Sequence, residues 1–294
     1  MVISMRSFEA TGDAGGVDRA RIVPGLSMLL GLVAFAAGLW TFLDNGLLTG
    51  PAVSNGSARG TGLVVAVSAV LVLVSLAVHG HRAVPARIAG LGAIAYLAYN
   101  SVLLLFGTPF NRAFPLYVGV LGLSLWTMMV GLQRADHESV RASFSTRTPV
   151  RGVAIYIWVI AAANALVWLR AIVPALGAAR PSELLAGTGM TTNPVYVQDL
   201  AFWLPLAAVA AYALWHRRAW AYLVAGGLLV FWVIEAIGVA TDQWFGHRAD
   251  PASTVASAAA VPGFAVLALI GLVVLFAYVR RIGPGPSAAA GTTR

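Results

Sequence analysis

Long apolar runs alternate with short polar gaps along the whole chain. Eight runs stand out, at 25–48, 61–78, 86–107, 113–131, 153–176, 197–215, 220–241 and 261–279. Each approaches the roughly 20 apolar residues that a helix needs to cross a hydrocarbon core about 30 Å thick. The runs are unbroken, whereas barrel strands would alternate polar and apolar positions. A helix also satisfies its own backbone hydrogen bonds, which lipid demands of any spanning segment. The pattern predicts an all-α fold, a polytopic transmembrane helical bundle of eight spans over residues 23–282. The flanking tails, 1–22 and 283–294, are rich in Gly or in Gly, Pro and Ala and are expected to be disordered. The first run is longer than a signal-peptide apolar region and follows a polar tail, so it reads as a span.

Composition agrees with that pattern. Hydrophobic residues make up 59% of the chain and charged residues 10%, against about 25% charged in soluble domains. Too few charges are left to cover a water-facing surface, so the main partner of this chain is the lipid bilayer. All nineteen basic residues are Arg, and the net charge is +8. Fourteen of them lie in the two tails and in the second, fourth and sixth gaps. The other five, Arg59, Arg112, Arg170, Arg180 and Arg248, lie in the remaining gaps or at their edges. Positive charge near span ends is retained in the cytoplasm. Both termini are therefore expected to be cytoplasmic, in a multi-pass protein of the inner (plasma) membrane. This placement accounts for the basic balance without nucleic acid as a partner. Cysteine is absent, which excludes disulfides and thiolate metal sites.

The acidic residues sort the other way. Asp44, Glu183, Asp199, Glu235, Asp242 and Asp250 all fall toward the outer side. Glu235 lies well inside the seventh span, and an ionised carboxylate near the bilayer centre costs about 2.5 to 3.5 kcal/mol on insertion scales. It should face the bundle with a partner, or carry a proton. Asp242 follows seven residues later on nearly the same helical face. Arg170, at the outer end of the fifth span, and Arg112, beside Asn111 in the third gap, are the candidate counter-charges, since Arg suits fork-like pairing with carboxylate. Asp199 opens the sixth span, where capping of the helix start is the plain expectation. Tyr96 and Asn100 share a face of the third span, and an amide there either joins helices or meets a ligand. Aromatic residues at the outer level (Trp40, Phe42, Trp168, Phe202, Trp203, Trp244 and Phe245) suit an interfacial belt.

Several chemistries lack their residues. No histidine lies inside a span, as two would for a sandwiched haem, and no cofactor is implied. His79 and His81 stand beside Arg82 without carboxylate or Cys support, so no metal is implied either. There is no phosphate-binding Gly-rich loop with a Lys and no Gly-x-Ser-x-Gly nucleophile elbow. His137-Glu138 lacks the second His of a zinc-protease helix. The fifth gap, from Gly177 to Pro194, is rich in turn-formers, with Ser182-Glu183-Leu184-Leu185 as the start of a short surface helix. A loop of this size suits a lid.

Two stretches carry a resemblance. Thr192-Asn193-Pro194-Val195-Tyr196-Val197-Gln198-Asp199-Leu200, followed by Leu204-Pro205, is similar to a Thr-Asn-Pro-Val-x-Val-x-Asp-Leu motif. Tyr99-Asn100 through Phe106-Gly107, Asn111 and Leu116-Tyr117-Val118 forms a second block. Together they resemble a family of uncharacterised, actinobacterial-type polytopic integral membrane proteins with no established activity. The likeness covers the third to seventh spans. It implies fold and location, and no reaction. Members more usually carry His where this chain has Tyr196, which weakens a proton or metal role there.

These readings lead to one expected site. Asn100, Asn111, Arg112, Asp44, Asn193, Asp199, Arg170, Glu235 and Asp242 would line a polar, outward-facing pocket formed by the first, third, fifth, sixth and seventh spans. The expected function is binding or transport of a small solute or of protons, with Glu235 protonatable and Arg170 its counter-charge. The alternative is a non-catalytic membrane module that assembles with another membrane protein and uses Asp199 and Glu235 for packing. A membrane enzyme acting on a lipid or envelope precursor, with Glu235 and Asp242 as acid and base, ranks below both.

Overall fold

The structure is a computed structural model that describes residues 14–79, 83–178 and 183–283. Eight of its helices are long and apolar enough to cross a membrane, as the runs predict. In chain order, α1 is Ala14–Leu43, α2 is Ala52–His79, α3 is Val84–Phe106 and α4 is Phe114–Gln133. A short helix, α5 (His137–Ser143), precedes α6 (Val150–Gly177). The sixth span combines α7 (Pro194–Gln198), a π-helical turn (Asp199–Trp203) and α8 (Leu204–Trp215). Then come α9 (Ala219–Ala249) and α10 (Val261–Val279).

Four boundaries differ from the sequence expectation. Helix α1 starts at Ala14, inside the tail expected to be disordered, and stops at Leu43 rather than residue 48. The remainder of both tails, 1–13 and 284–294, lies outside the described residues, as do His81, Arg82, Arg180 and Ser182. Helix α2 begins nine residues before the run at 61 and takes in Asn55, Ser57 and Arg59. Helix α9 extends past 241 to Ala249. The last two differences have one cause. A Cβ at Gly56 would stand 2.5 Å from the Phe245 carbonyl oxygen, and one at Gly60 would stand 3.0 Å from that of Thr241. Gly56 and Gly60 form the small-xxx-small spacing that lets two helix backbones approach. The polar start of α2 and the polar end of α9 are thus helical because they pack on each other.

Helices α1 to α4 form a closed ring in which each packs on the next and α4 returns to α1. Helix α9 leans on this ring through α2 and α3, and gathers α8 and α10 on its other side; α6 packs on α8. Helices α3 and α9 are therefore the most enclosed, while α4, α6 and α10 turn most of their apolar surface outward. At the centre, Gly92 of α3 lies against Gly227 and Val230 of α9. Eight residues further along both helices, Asn100 meets Glu235. Helices α3 and α9 thus run parallel and in step.

The two ends of the bundle differ in charge. The loop after α5, the start of α9 and the end of α10 are joined at one end: Phe144 packs on Tyr222 and Tyr278, the Tyr278 hydroxyl donates to the Tyr222 carbonyl at 2.9 Å, and Gly283 N donates to the Ser143 carbonyl at 2.9 Å. This end carries Arg134, Arg141, Arg147, Arg151, Arg217, Arg218, Arg280 and Arg281. Arg59, Arg112, Arg170 and Arg248 belong to the opposite end.

Candidate functional site

The structure distributes the expected pocket residues over separate places. Asp44 and Arg112 meet at the rim of the Arg-poor end, 3.8 Å apart, with Arg112 well exposed and Asp44 half-buried. Asp44 follows the last turn of α1, where Trp40 Nε1 donates to its carboxylate at 3.1 Å and Gly46 N at 2.8 Å. The Trp40 hydrogen bond, then that from Gly46, hold the Asp44 carboxyl below its ordinary value, with Arg112 a smaller contribution. A shallow depression beside it is lined by Ala36, Leu39, Trp40, Leu43 and Asp44. This is a feature of α1 alone and does not reach the interior carboxyls.

Asn111 and Asn193 serve the backbone. Asn111 Oδ1 accepts from Ala113 N at 2.9 Å and its amide donates to the Pro109 carbonyl at 2.9 Å, which shapes the turn before α4. Asn193 Oδ1 accepts from Val195 N at 2.9 Å and caps α7, with Pro194 at the first helical position. That corrects the expectation for Asp199. The cap lies six residues earlier, and Asp199 stands inside the span. Arg170 is corrected too. Its side chain points outward from α6, and the ion pairs found among the described residues are Arg112 with Asp44 and Arg141 with Glu138. The reason is azimuthal: α6 packs chiefly on α8 and meets α9 through Tyr156 against Trp232, while Arg170 lies on its exposed face.

Four expected residues face into the bundle, Asn100 and Asp199 buried and Glu235 and Asp242 half-buried, and their hydrogen bonds bring in Thr61, Ser57 and Trp168, which the sequence had not placed beside them. Asn100 Nδ2 donates to Glu235 Oε2 at 3.1 Å and lies 3.3 Å from the Tyr96 carbonyl. Asp242, seven residues along α9, accepts from Thr61 Oγ1 of α2 at 3.0 Å, while Ser57 Oγ donates to the Asp242 backbone carbonyl at 3.1 Å. Asp199 is buried, 7% exposed, and accepts from Trp168 Nε1 of α6 at 2.8 Å. The Tyr99 hydroxyl also reaches the Asp199 carboxyl. The interior polar groups therefore come from α2, α3, α6, the sixth span and α9. Helix α2 replaces the first span in the expected set.

The turn that carries Asp199 is wide because of Pro205. The proline brings no N–H to the ladder, and its ring crowds the preceding turn. The chain opens into a π-helical turn there, a local form that recurs at functional positions. Gln198 Nε2 then donates to the Tyr99 carbonyl at 3.3 Å, and Trp203 Nε1 donates to Gln198 Oε1 at 3.3 Å. Trp203 stacks on Phe231 at 5.0 Å, and Tyr99 packs against both rings. This aromatic cluster closes the interior groups off on the side of the Arg-rich end. A polar residue six positions before Pro205, in an otherwise apolar run, was the available sequence signal for the buried acid. Thr61 and Ser57, four apart on the first turns of α2, signal a polar helix face in the same way.

Asp199, Glu235 and Asp242 lie within electrostatic range of one another in sequence along this path, Asp199 with Glu235 and Glu235 with Asp242. Hydroxyl, amide and indole donors serve them, and no arginine among the described residues pairs with any of the three. No three His, Asp or Glu side chains among the described residues converge closely enough to hold a metal ion.

One variant pair tests the Asp199 geometry. Asp199→Leu leaves the Trp168 N–H and the Tyr99 hydroxyl without their acceptor, at about 1 to 3 kcal/mol for a stranded buried group. Asp199→Asn keeps a carbonyl oxygen for Trp168 and should lose less than half as much. Thermal unfolding in detergent micelles measures both, and equal losses would remove the Trp168 bond as the reason Asp199 is buried.

No family model, curated protein or solved structure matches this chain.

Proposed function

We propose that this is a multi-pass plasma-membrane protein, with its Arg-rich end in the cytoplasm, that takes up protons, alone or with a small solute, at an intramembrane site centred on Glu235. The observation that carries the reading is the hydrogen bond from Asn100 to Glu235 inside the bundle. An amide can donate to a carboxyl in either protonation state, so Asn100 holds the group without settling its charge. An arginine at that place would hold it ionised. A carboxyl inside a span, held by a neutral donor, is free to gain and lose a proton, and intramembrane acids are costly enough that function is their default explanation. The counter-charge role expected of Arg170 passes to the proton itself. The cytoplasmic assignment of the Arg-rich end rests on the retention of positive charge during insertion.

The test is proton movement into proteoliposomes that contain a trapped pH dye, driven by an imposed potassium-valinomycin potential. The wild-type protein should acidify the lumen faster than empty liposomes, and Glu235→Gln should return the rate to that of the lipid alone. An unchanged rate in Glu235→Gln would remove Glu235 from the function.

A further inference from the structure

Seven described residues have a buried side-chain polar atom without a hydrogen-bond partner, and Tyr96 is the one tyrosine among them. Its side chain is 0% exposed, and its hydroxyl has no hydrogen-bond partner among the described residues. The hydroxyl points at α9, where a Cβ on Gly238 would stand 2.8 Å from it. Any other residue at 238 would fill the space the hydroxyl occupies. Gly238 lies three residues after Glu235 and four before Asp242, which puts it about 4.5 Å above one and about 6 Å below the other along the helix axis. Both carboxyls are within electrostatic range of the Tyr96 hydroxyl.

The spacing selects the chemistry. Glu235 and Asp242 are about 10.5 Å apart along α9. The Tyr96 hydroxyl, at the level of Gly238, lies between the two positions along the helix axis, where waters can bridge it to each carboxyl. Buried polar groups of this kind are commonly satisfied by an internal water.

We propose that Asp242, the Tyr96 hydroxyl and Glu235 form a proton relay, bridged by water, that connects the Arg-poor face of the protein to the intramembrane carboxyl of Glu235. The relay rests on the reading of Glu235 as the proton-accepting group. In one passage, the Asp242 carboxyl gives its proton to the first water, and that water passes a proton to the Tyr96 oxygen. Tyr96 gives its own hydroxyl hydrogen to the second water, which protonates the Glu235 carboxylate. Asp242 ends one proton poorer, Glu235 one richer, and Tyr96 and both waters unchanged; no electron moves. Thr61 supports the entry step. Its single hydrogen lies between the Ser57 carbonyl at 3.2 Å and Asp242 Oδ1 at 3.0 Å, so with that hydrogen on Ser57 its oxygen can accept from a protonated Asp242. The groups that face the relay from the packed helices are Thr61 and Ser57 of α2, Asn100 and Tyr99 of α3, and Asp199 of the sixth span. Arg59 of α2 is turned away, with its Nε on the Phe42 carbonyl at 3.0 Å.

The decisive variant is Tyr96→Phe, which removes one oxygen and keeps the buried ring. Infrared difference spectroscopy on protein in lipid nanodiscs at acidic pH identifies the Glu235 carboxyl band as the one lost in Glu235→Gln. Its exchange after transfer to heavy water should be at least tenfold slower in Tyr96→Phe than in the wild type. Tyr117→Phe is the control for loss of a buried hydroxyl: it breaks the 2.7 Å bond to Thr41 far from α9 and should leave the exchange rate unchanged. Wild-type exchange in Tyr96→Phe, or equal slowing in Tyr117→Phe, overturns the relay whatever the flux measurement gives. Slow exchange in Tyr96→Phe together with no proton flux in the wild type would keep the path and overturn the transport reading.

Discussion

Gly92→Leu is expected to prevent the bundle from assembling. A Cβ at Gly92 alone would lie 2.7 Å from the Gly227 carbonyl oxygen and against the Val230 Cβ. Neither is the tip of a flexible side chain. One is backbone and the other is the branch point of a β-branched residue, so the whole of α9 must move to make room. Overpacking of a fitted core costs about 1 to 3 kcal/mol and sometimes more, and a rigid obstacle places Gly92→Leu at or above the upper figure. The consequence reaches further, since separating α3 from α9 also pulls Asn100 from Glu235 two turns along. Size-exclusion profiles and thermal unfolding in detergent should show an aggregated or strongly destabilised protein, with Gly92→Ala intermediate. Gly122 of α4 is the control, because a Cβ there meets nothing within 4 Å. Gly122→Ala should be neutral, or stabilising by up to about 1 kcal/mol through helix propensity. Full stability of Gly92→Leu would mean that α3 and α9 do not pack through Gly92.

The Asn100–Glu235 pair separates a functional carboxyl from one that only holds helices together. Interhelical hydrogen bonds in membrane proteins contribute about 0.6 kcal/mol on average and up to about 1.7. Removing one partner costs more than the bond itself, because the remaining polar group is stranded. Asn100→Leu should therefore destabilise the protein by about 1 to 3 kcal/mol. The double variant Asn100→Leu/Glu235→Leu, which removes both groups, should recover most of that loss. Proton uptake should not recover with it. A packing role would make stability and activity return together, or leave no activity to lose. Thermal unfolding and the proteoliposome assay on the same four proteins give the complete cycle, and a double variant as unstable as Asn100→Leu would contradict the pairing.

The spans were legible because lipid sets a length. Runs near 20 residues with few charges identify all eight helices, and most of the arginines sort to one end as the gap pattern requires. The errors fell where a helix is polar. The first turns of α2 read as loop because Asn55, Gly56, Ser57 and Arg59 are poor membrane residues, yet they are helical against the end of α9. Asp199 read as a cap because it opens an apolar run, although Asn193, before Pro194, does the capping. Arg170 read as a partner because it lies at the right depth. Depth along the membrane is legible in a sequence, but rotation about the helix axis is not.

That distinction separates the two levels of information in this protein. Composition, run length and the placing of the gaps establish an all-α, eight-span membrane protein with most of its arginines at one end, since a chain in lipid must close its backbone hydrogen bonds within each segment. They also show that Glu235 needs a partner. Which partner it finds depends on helix rotation, and α3 and α9 are apolar on nearly every side, so no stripe marks their inward faces. Close backbone contacts supply the missing information. Gly92 against Gly227 sets α3 beside α9, and Gly56 and Gly60 set α2 against it. Only these approaches bring Asn100 to Glu235, Thr61 to Asp242, and the Tyr96 hydroxyl to the space left by Gly238.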